Sequence, residues 1–430
     1  MDEFDRYAHR WLVLIFGLLL SRGLHGQTLN TLWTFGKGEF GSQPANGVAI
    51  GPQGQLYGAT LRGGASRNGV AFGLAPPSSP GGAWTPTILH QFGTVEGVPG
   101  AGLMIGPSGV LYGVTVGNDT DDFGTIFELK TPATGGAHWR ETTLHAFSDT
   151  PADGIFPQGA PTFGPHDALY GTTSGGGAKN YGTVYRLAPP AAKGGAWTEE
   201  ILWDFLGYPG DGQGPVGALA IGPDGAIFGV TEYGGLGGGT VFQLTPPASP
   251  GGSWVETLLY EFPPQAGFSG SAYPAGVILG PNHVLYGTTG QYDGKACDDG
   301  NPCGTVFELA PPATPGAAWA ETTLHTFVFG AGDGAQPMAP PLLDSDGAVY
   351  GTCISGGTTG YGTIFKMLPP SAPGGGWTEV ILYSFTGGVD GQLPTGMAFG
   401  PDGNLYGTTG MVFERGGVGN YGTVFQFLFQ

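Results

Sequence analysis

An all-β, seven-bladed β-propeller with four-stranded blades is predicted by three observations on this sequence. First, a Leu-Tyr-Gly-like motif returns seven times, at Leu56-Tyr57-Gly58, Leu111-Tyr112-Gly113, Leu169-Tyr170-Gly171, Ile227-Phe228-Gly229, Leu285-Tyr286-Gly287, Val349-Tyr350-Gly351 and Leu405-Tyr406-Gly407. A spacing of 55 to 64 residues marks stacked copies of one supersecondary unit, each unable to bury its apolar face alone. Second, each unit reads as four short apolar runs separated by turn residues, and no run after the first twenty residues carries helical periodicity. Third, the outer-strand signature Leu-x-x-Phe occurs six times after Tyr57 and a seventh time at the other end of the chain, Leu32-Trp33-Thr34-Phe35.

The unit from Gly217 to Phe262 shows why each element forms. Gly217-Ala-Leu-Ala-Ile221 is a short apolar inner strand, stopped by Gly222-Pro223-Asp224-Gly225, where Pro presets φ and Gly admits φ > 0. Ile227 to Thr231 is the second strand and Gly239 to Leu244 the third, joined by a glycine-rich loop. A Pro-rich connection from Pro246 to Gly252 leads to the outer strand Trp254 to Phe262. The last repeat stops at Gln430, after Thr423 to Leu428, without an outer strand of its own. Residues 28–35 are expected to supply it, so that the propeller spans 27–430 and its last open edge is paired.

Gly at 86 and Pro at 37 of 430 residues would suggest disorder were they not set at fixed offsets between apolar runs, with 12% aromatics. Acidic residues outnumber basic ones, 33 to 14, for a formal charge of −19, a surface that repels phosphate backbones and excludes nucleic acid as a partner. Residues 1–26 read as a secretory signal: the ten-residue apolar run Trp11 to Leu20 is too short to span a bilayer, Arg6 and Arg10 precede it, and Ser21, Gly23 and Gly26 offer cleavage sites. The expected location is secreted, periplasmic or at the cell surface, with no membrane span in the mature chain and a monomeric state.

Phrases such as Leu169-Tyr-Gly-Thr-Thr-Ser-Gly-Gly-Gly177, Tyr181-Gly-Thr-Val-Tyr185 and Gly400-Pro-Asp-Gly-Asn-Leu-Tyr-Gly-Thr-Thr409 resemble the GloVer tandem repeat, over about residues 30 to 430. That resemblance implies an exported bacterial repeat protein and brings no established chemistry. Unlike many members, the sequence shows no anchor after Gln430. More distantly, the order of Gly-Gly, aromatic and Trp is similar to kelch repeats, whose period of roughly 50 residues is shorter.

Candidate chemistry falls on the loops. Asp-Gly-x-x-Pro recurs at Asp153, Asp211, Asp333 and Asp390, in equivalent outer-to-inner connections. Four such carboxylates offer a ring for a cation or sugar hydroxyls; the competing reading is that each Asp starts a turn by bonding its own backbone. The insertion Tyr292 to Cys303 places Asp293, Asp298, Asp299 and Asn301 in one loop, hard oxygen ligands suited to Ca²⁺ but without EF-hand spacing. Cys297 and Cys303 flank it, and their separation suits a local disulfide in an oxidising compartment. Asp119, Asp121 and Asp122 form a weaker acidic group. His90, His145 and His325 occupy one slot, Leu-His-x-Phe, in different repeats and so should lie far apart as packed surface residues; Cys353 should be a packed strand residue.

Inner strands such as Val48-Ala-Ile50, Ala218-Leu-Ala-Ile221 and Val277-Ile-Leu279 hold no Asp, Glu, His, Lys or Arg. Propeller hydrolases and lyases need such groups at the channel mouth for proton transfer or Lewis-acid activation. The expectation is therefore a noncatalytic binder of a glycan or protein at the cell surface, with no cofactor other than Ca²⁺ at the insertion. The alternative is a metal-dependent hydrolase or lyase using loop carboxylates.

Overall fold

Short β-rich units joined by proline and glycine turns close on one another as a ring in the computed structural model, which describes residues 28–429 except 37, 80, 118–121, 133–138, 193, 250, 265–271, 291–301, 315, 331, 373 and 411–420. Antiparallel sheets form seven blades; six run from the channel outward in chain order, and the seventh takes its outer strand from the start of the described chain. Blade 4 is representative: Gly212–Ile221, Ile227–Gly234, Thr240–Thr245 and Val255–Glu261. In blade 6 the inner strand is broken into Gly334–Ala335 and Leu342–Leu343, because Pro340 and Pro341 cannot donate to the ladder. The ring closes as the sequence requires. Thr28–Thr34 pairs antiparallel with Thr423–Leu428, Thr31 opposite Phe425, with a bulge that accommodates Leu32. No helix among the described residues is long and apolar enough to cross a membrane.

The recurring motif is explained residue by residue. Its leucine-type residue is fully buried in all seven repeats, for example Leu56, Leu169 and Leu405 at 0% exposure. The aromatic meets the tryptophan that leads into the outer strand of the next blade: Tyr57 with Trp139, Tyr112 with Trp197, Tyr286 with Trp377. The glycine lies beneath an aromatic ring of the third strand of its own blade. A Cβ on Gly58 would stand 2.5 Å from Phe72 Cζ, and one on Gly351 2.3 Å from Phe365 Cζ. That third-strand ring in turn packs edge-on against the phenylalanine of Leu-x-x-Phe in the preceding blade. The pairs Phe35–Phe72, Phe92–Phe127, Phe147–Tyr185, Phe205–Phe242, Phe262–Phe307, Phe327–Phe365 and Phe385–Phe425 all have centroids 5.0 to 5.4 Å apart. Every seam thus carries one aromatic pair, worth about 0.5–1.5 kcal/mol beyond its buried area. Phe35, from the N-terminal strand, makes the pair at the seam between blades 7 and 1.

A second interblade device lies at the loop-rich face. The residue before the proline of Asp-Gly-x-x-Pro adopts left-handed φ, at Phe156 (59°), Gly214 (63°), Gln336 (59°) and Leu393 (54°), and Gln43 does the same at 58°. Its N–H donates to the preceding blade: Phe156 to the Phe123 carbonyl at 2.9 Å, Gln336 to Cys303 at 2.7 Å, Leu393 to Tyr361 at 3.0 Å and Gln43 to Tyr421 at 2.8 Å. The proline ring then covers the next glycine of that blade, so that a Cβ on Gly124 would meet Pro157 Cδ at 2.5 Å and one on Gly362 would meet Pro394 Cδ at 2.5 Å. Left-handed φ is costly for Phe or Leu and persists only where the surroundings enforce it. Here the hydrogen bond and the proline contact do so.

Candidate functional site

The four predicted aspartates sit in the turns that carry each chain segment from an outer strand to the next inner strand. Asp153 Oδ2 accepts the Ser148 N–H at 2.9 Å and hydroxyl at 2.8 Å, while Oδ1 accepts the Gly154 N–H at 2.8 Å. Asp211 accepts from Leu206 N at 2.8 Å and Gly212 N at 2.6 Å. Asp333 accepts from Val328 N at 2.9 Å, and Asp390 from Thr386 N at 2.7 Å and the Tyr383 hydroxyl at 3.0 Å. Each carboxylate is engaged inside its own turn. No group of clustered His, Cys, Asp and Glu among the described residues contains two of them.

What the aspartates do gather is a partner from each flanking blade. His145, near the end of the outer strand of blade 2, brings Nε2 to 3.3 Å from Asp153 Oδ1, and Glu199 arrives from the outer strand of blade 3. The arrangement recurs between blades 5 and 6, where His325 Nε2 lies 3.3 Å from Asp333 and 3.8 Å from Glu379. The histidines are indeed in separate blades, but each has an acidic pair beside it that the sequence did not reveal. The reason is geometric: the start of one outer strand crosses the end of the preceding one, as the Trp139 N–H to Leu89 carbonyl bond of 3.0 Å shows for blades 1 and 2. At that seam Glu96 takes the aspartate's role, 3.2 Å from His90 Nε2 and 2.6 Å from the Gly93 N–H.

Burial raises the glutamates' affinity for protons. Glu199 and Glu379 are each pushed up to about 7, by burial and then by the charge of Asp153 or Asp333. For Asp153 and Asp333 burial acts upward, but hydrogen bonds, from His145 and Ser148 or from His325 and Val328, outweigh it and hold both carboxyls low. Between blades 3 and 4 Trp203 fills the histidine slot, leaving Glu256 facing Asp211 alone; burial and Asp211 push Glu256 up to about 8. A group whose pKa is raised from 4.5 to about 8 on folding contributes stability that is complete below 4.5 and lost as pH rises through 8. In chelator-treated buffer the unfolding midpoint should therefore fall between pH 5 and pH 8.5, and Glu256→Gln, whose amide can donate to Asp211 at any pH, should reduce that fall. An equal slope in the variant, measured by calorimetry across this range, would show that Glu256 is not its source.

Inner strands of all seven blades line a channel cavity of about 460 Å³ at the loop-rich end, within the size range of small-molecule sites. Its wall is mostly Gly, Ala, Pro and Val, with Gln158, Thr395 and Asn46 as polar members. Glu232 is the carboxylate among its lining residues, raised by burial although a hydrogen bond with Tyr233 acts against the shift. Tyr233 bonds Tyr273 as well, their rings 6.0 Å apart, and burial together with these partners makes its hydroxyl a very weak acid. Tyr273 itself has φ 50°, the left-handed setting found before the other inner-strand prolines. A larger groove of about 840 Å³ shares Asn46, Gly100 and Thr395 with this cavity and reaches Arg62 and Arg67 on blade 1. Glu232 and Tyr233 were not legible in the sequence because the second strand of blade 4 runs on to Gly234, past Thr231 where its apolar pattern ends, and Tyr273 precedes an inner strand, whereas the inner strands themselves carry no charge.

Asp293, Asp298, Asp299, Asn301 and Cys297 lie outside the described residues, as do Asp119, Asp121 and residues 1–26. Cys303 is buried in the third strand of blade 5, in the same apolar cluster as Phe327 and Cys353. Burial raises the Cys353 thiol well above its ordinary pKa. Asp122 accepts the Gly124 N–H at 3.0 Å.

Comparison with known proteins bears on the fold. The Gloeobacter/Verrucomicrobia repeat model matches residues 131–327 and 300–429. No curated protein matches in sequence. Among solved structures, the extracellular domain of a hybrid two-component system protein from B. thetaiotaomicron is similar over 94% of this chain and 40% of its own, with TM-score 0.53 and 10% identity. The PQQ-bound aldose sugar dehydrogenase of Streptomyces coelicolor is similar over 94% and 98%, with TM-score 0.44 and 14% identity. A gluconolactonase from Xanthomonas campestris is similar over 79% and 90%, with TM-score 0.40 and 14% identity. At such identities the likeness concerns architecture alone.

Proposed function

Since this chain belongs to the Gloeobacter/Verrucomicrobia repeat family, whose repeats here build the propeller, we propose that it is a noncatalytic extracytoplasmic binding protein whose loop-rich face takes a glycan at the channel mouth. The observation that carries this reading is the joined cavity and groove. Together they form a continuous surface on which, among the described residues, the aromatic face of Tyr273, amides at Gln158 and Asn46, and a carboxylate at Glu232 meet backbone-rich walls. Aromatic rings cover the apolar faces of sugars, and amides and a carboxylate bond their hydroxyls. Hydrolysis of a glycosidic bond ordinarily requires two carboxyl groups flanking the bond, and among the described residues the cavity is lined by one, Glu232.

Export and location at the cell surface belong to the same proposal, supported by the leader-like residues 1–26 and the acidic, lightly charged composition. The test is a screen of purified protein against neutral and acidic oligosaccharides and against sugar lactones, with and without Ca²⁺ or Zn²⁺. Saturable oligosaccharide binding without product formation is expected. Turnover of a lactone or polysaccharide lost on changing Glu232 would establish the hydrolase reading instead.

A further inference from the structure

We propose that the seams between blades 2 and 3 and between blades 5 and 6 are two equivalent transition-metal sites, formed by His145, Asp153 and Glu199 and by His325, Asp333 and Glu379. In each, one imidazole nitrogen and two carboxylate oxygens lie within 4.8 Å of one another. The His–Asp separation is 3.3 Å in both, long for a charge-assisted hydrogen bond but close to the edge of a tetrahedron whose zinc–ligand bonds are roughly 2.0–2.1 Å, about 3.4 Å. Each glutamate adds a buried oxygen beside the histidine and aspartate. Glu199 Oε1 and Glu379 Oε1 are both buried and have no hydrogen-bond partner. Buried carboxylate oxygens are ordinarily satisfied, and a cation at the seam would satisfy these.

Charge and ligand type narrow the ion. With the imidazole neutral and both carboxyls ionised, the form that a bound cation requires, each cluster carries two negative charges, and among the described residues no lysine or arginine lies within ion-pair distance of it. One nitrogen with two oxygens and a position left for water suits Zn²⁺ or Co²⁺, whereas Ca²⁺ takes six to eight oxygens. The molecule supplies its own comparison. Trp203 and Tyr383 replace the histidine at two other seams, where no imidazole completes a ligand set: Tyr383 bonds Asp390 at 3.0 Å, and Glu256, whose Oε1 is likewise buried without a partner, lies beside Asp211. His90, Glu96 and Glu141 do not come together closely enough to form a third group. A bound ion would tie the outer strand of one blade to that of the next at two places in the ring.

Titration of the full chain, freed of metal by chelator, with Zn²⁺ at pH 7.5 tests this, with Co²⁺ absorption as the spectroscopic readout and Ca²⁺ as the control. His145→Tyr and His325→Tyr install the residue that Tyr260 and Tyr383 already supply at the same slot, so folding is preserved and is checked by circular dichroism. The native chain should lose one Zn²⁺ equivalent in each single variant and two in the double variant, and its Co²⁺ complex should show the intense visible bands of tetrahedral coordination, absent from the double variant. Equal Zn²⁺ stoichiometry and affinity in native and double-variant protein, or no Zn²⁺ binding tighter than millimolar in the native chain, would overturn the assignment.

Discussion

Removal of residues 28–35 should collapse the cooperative unfolding of the ring, lowering the midpoint by ten degrees or more. Without the strand Thr28–Thr34, the ladder on Thr423–Leu428 becomes an open edge, and the Phe35 N–H bond to the Gly422 carbonyl, 2.9 Å long, disappears. Phe35 is 2% exposed and its ring stands 5.1 Å from Phe72, so the loss also strips the aromatic pair from the seam between blades 7 and 1. Phe35→Ala alone should cost about 3–5 kcal/mol, the usual range for emptying a core phenylalanine site. Exposed, unpaired strand edges invite association, so the truncated chain should also aggregate at concentrations where the native chain does not. Thermal unfolding followed by circular dichroism and light scattering reads both effects; an unchanged midpoint would show that ring closure contributes little.

Gly351→Ala should destabilise by about 3 kcal/mol or more, through overpacking. The added Cβ would lie 2.3 Å from Phe365 Cζ, and Phe365 cannot retreat because its other edge rests against Phe327, centroids 5.0 Å apart. Shortening the obstructing ring should recover part of the loss, so Gly351→Ala with Phe365→Leu should be more stable than the sum of the two single changes predicts. Urea denaturation of the four proteins gives this coupling directly. Additive losses would place the clash elsewhere.

The architecture was legible because its determinants are local and repeated. Period, strand length, the turn Gly222-Pro223-Asp224-Gly225 and the displaced Leu32-Trp33-Thr34-Phe35 each leave a pattern along the chain. The glycine of the motif was visible as a recurrence, but its cause was not, since the Phe72 ring above Gly58 belongs to another strand. Phe156 and Leu393 carry no local sign of left-handed φ; a residue before proline ordinarily extends. Their conformation is imposed by carbonyls of the preceding blade, at Phe123 and Tyr361. For the same reason Asp153 was visible as a turn residue, while its neighbours His145 and Glu199 required the crossing of two outer strands. Glu232 and Tyr273, separated along the chain and joined at the channel mouth, show the same limit.

On the proposed reading a glycan is recognised at the channel mouth, rather than at the seams or the acidic insertion. Isothermal titration with the tightest oligosaccharide from the screen, comparing native protein with Tyr273→Ala, Glu232→Gln and the rim variant His145→Tyr, tests it most directly. Binding through the mouth predicts at least a tenfold weaker Kd for the first two variants and an unchanged Kd for the third, with all three folded. Native affinity in both mouth variants would contradict it.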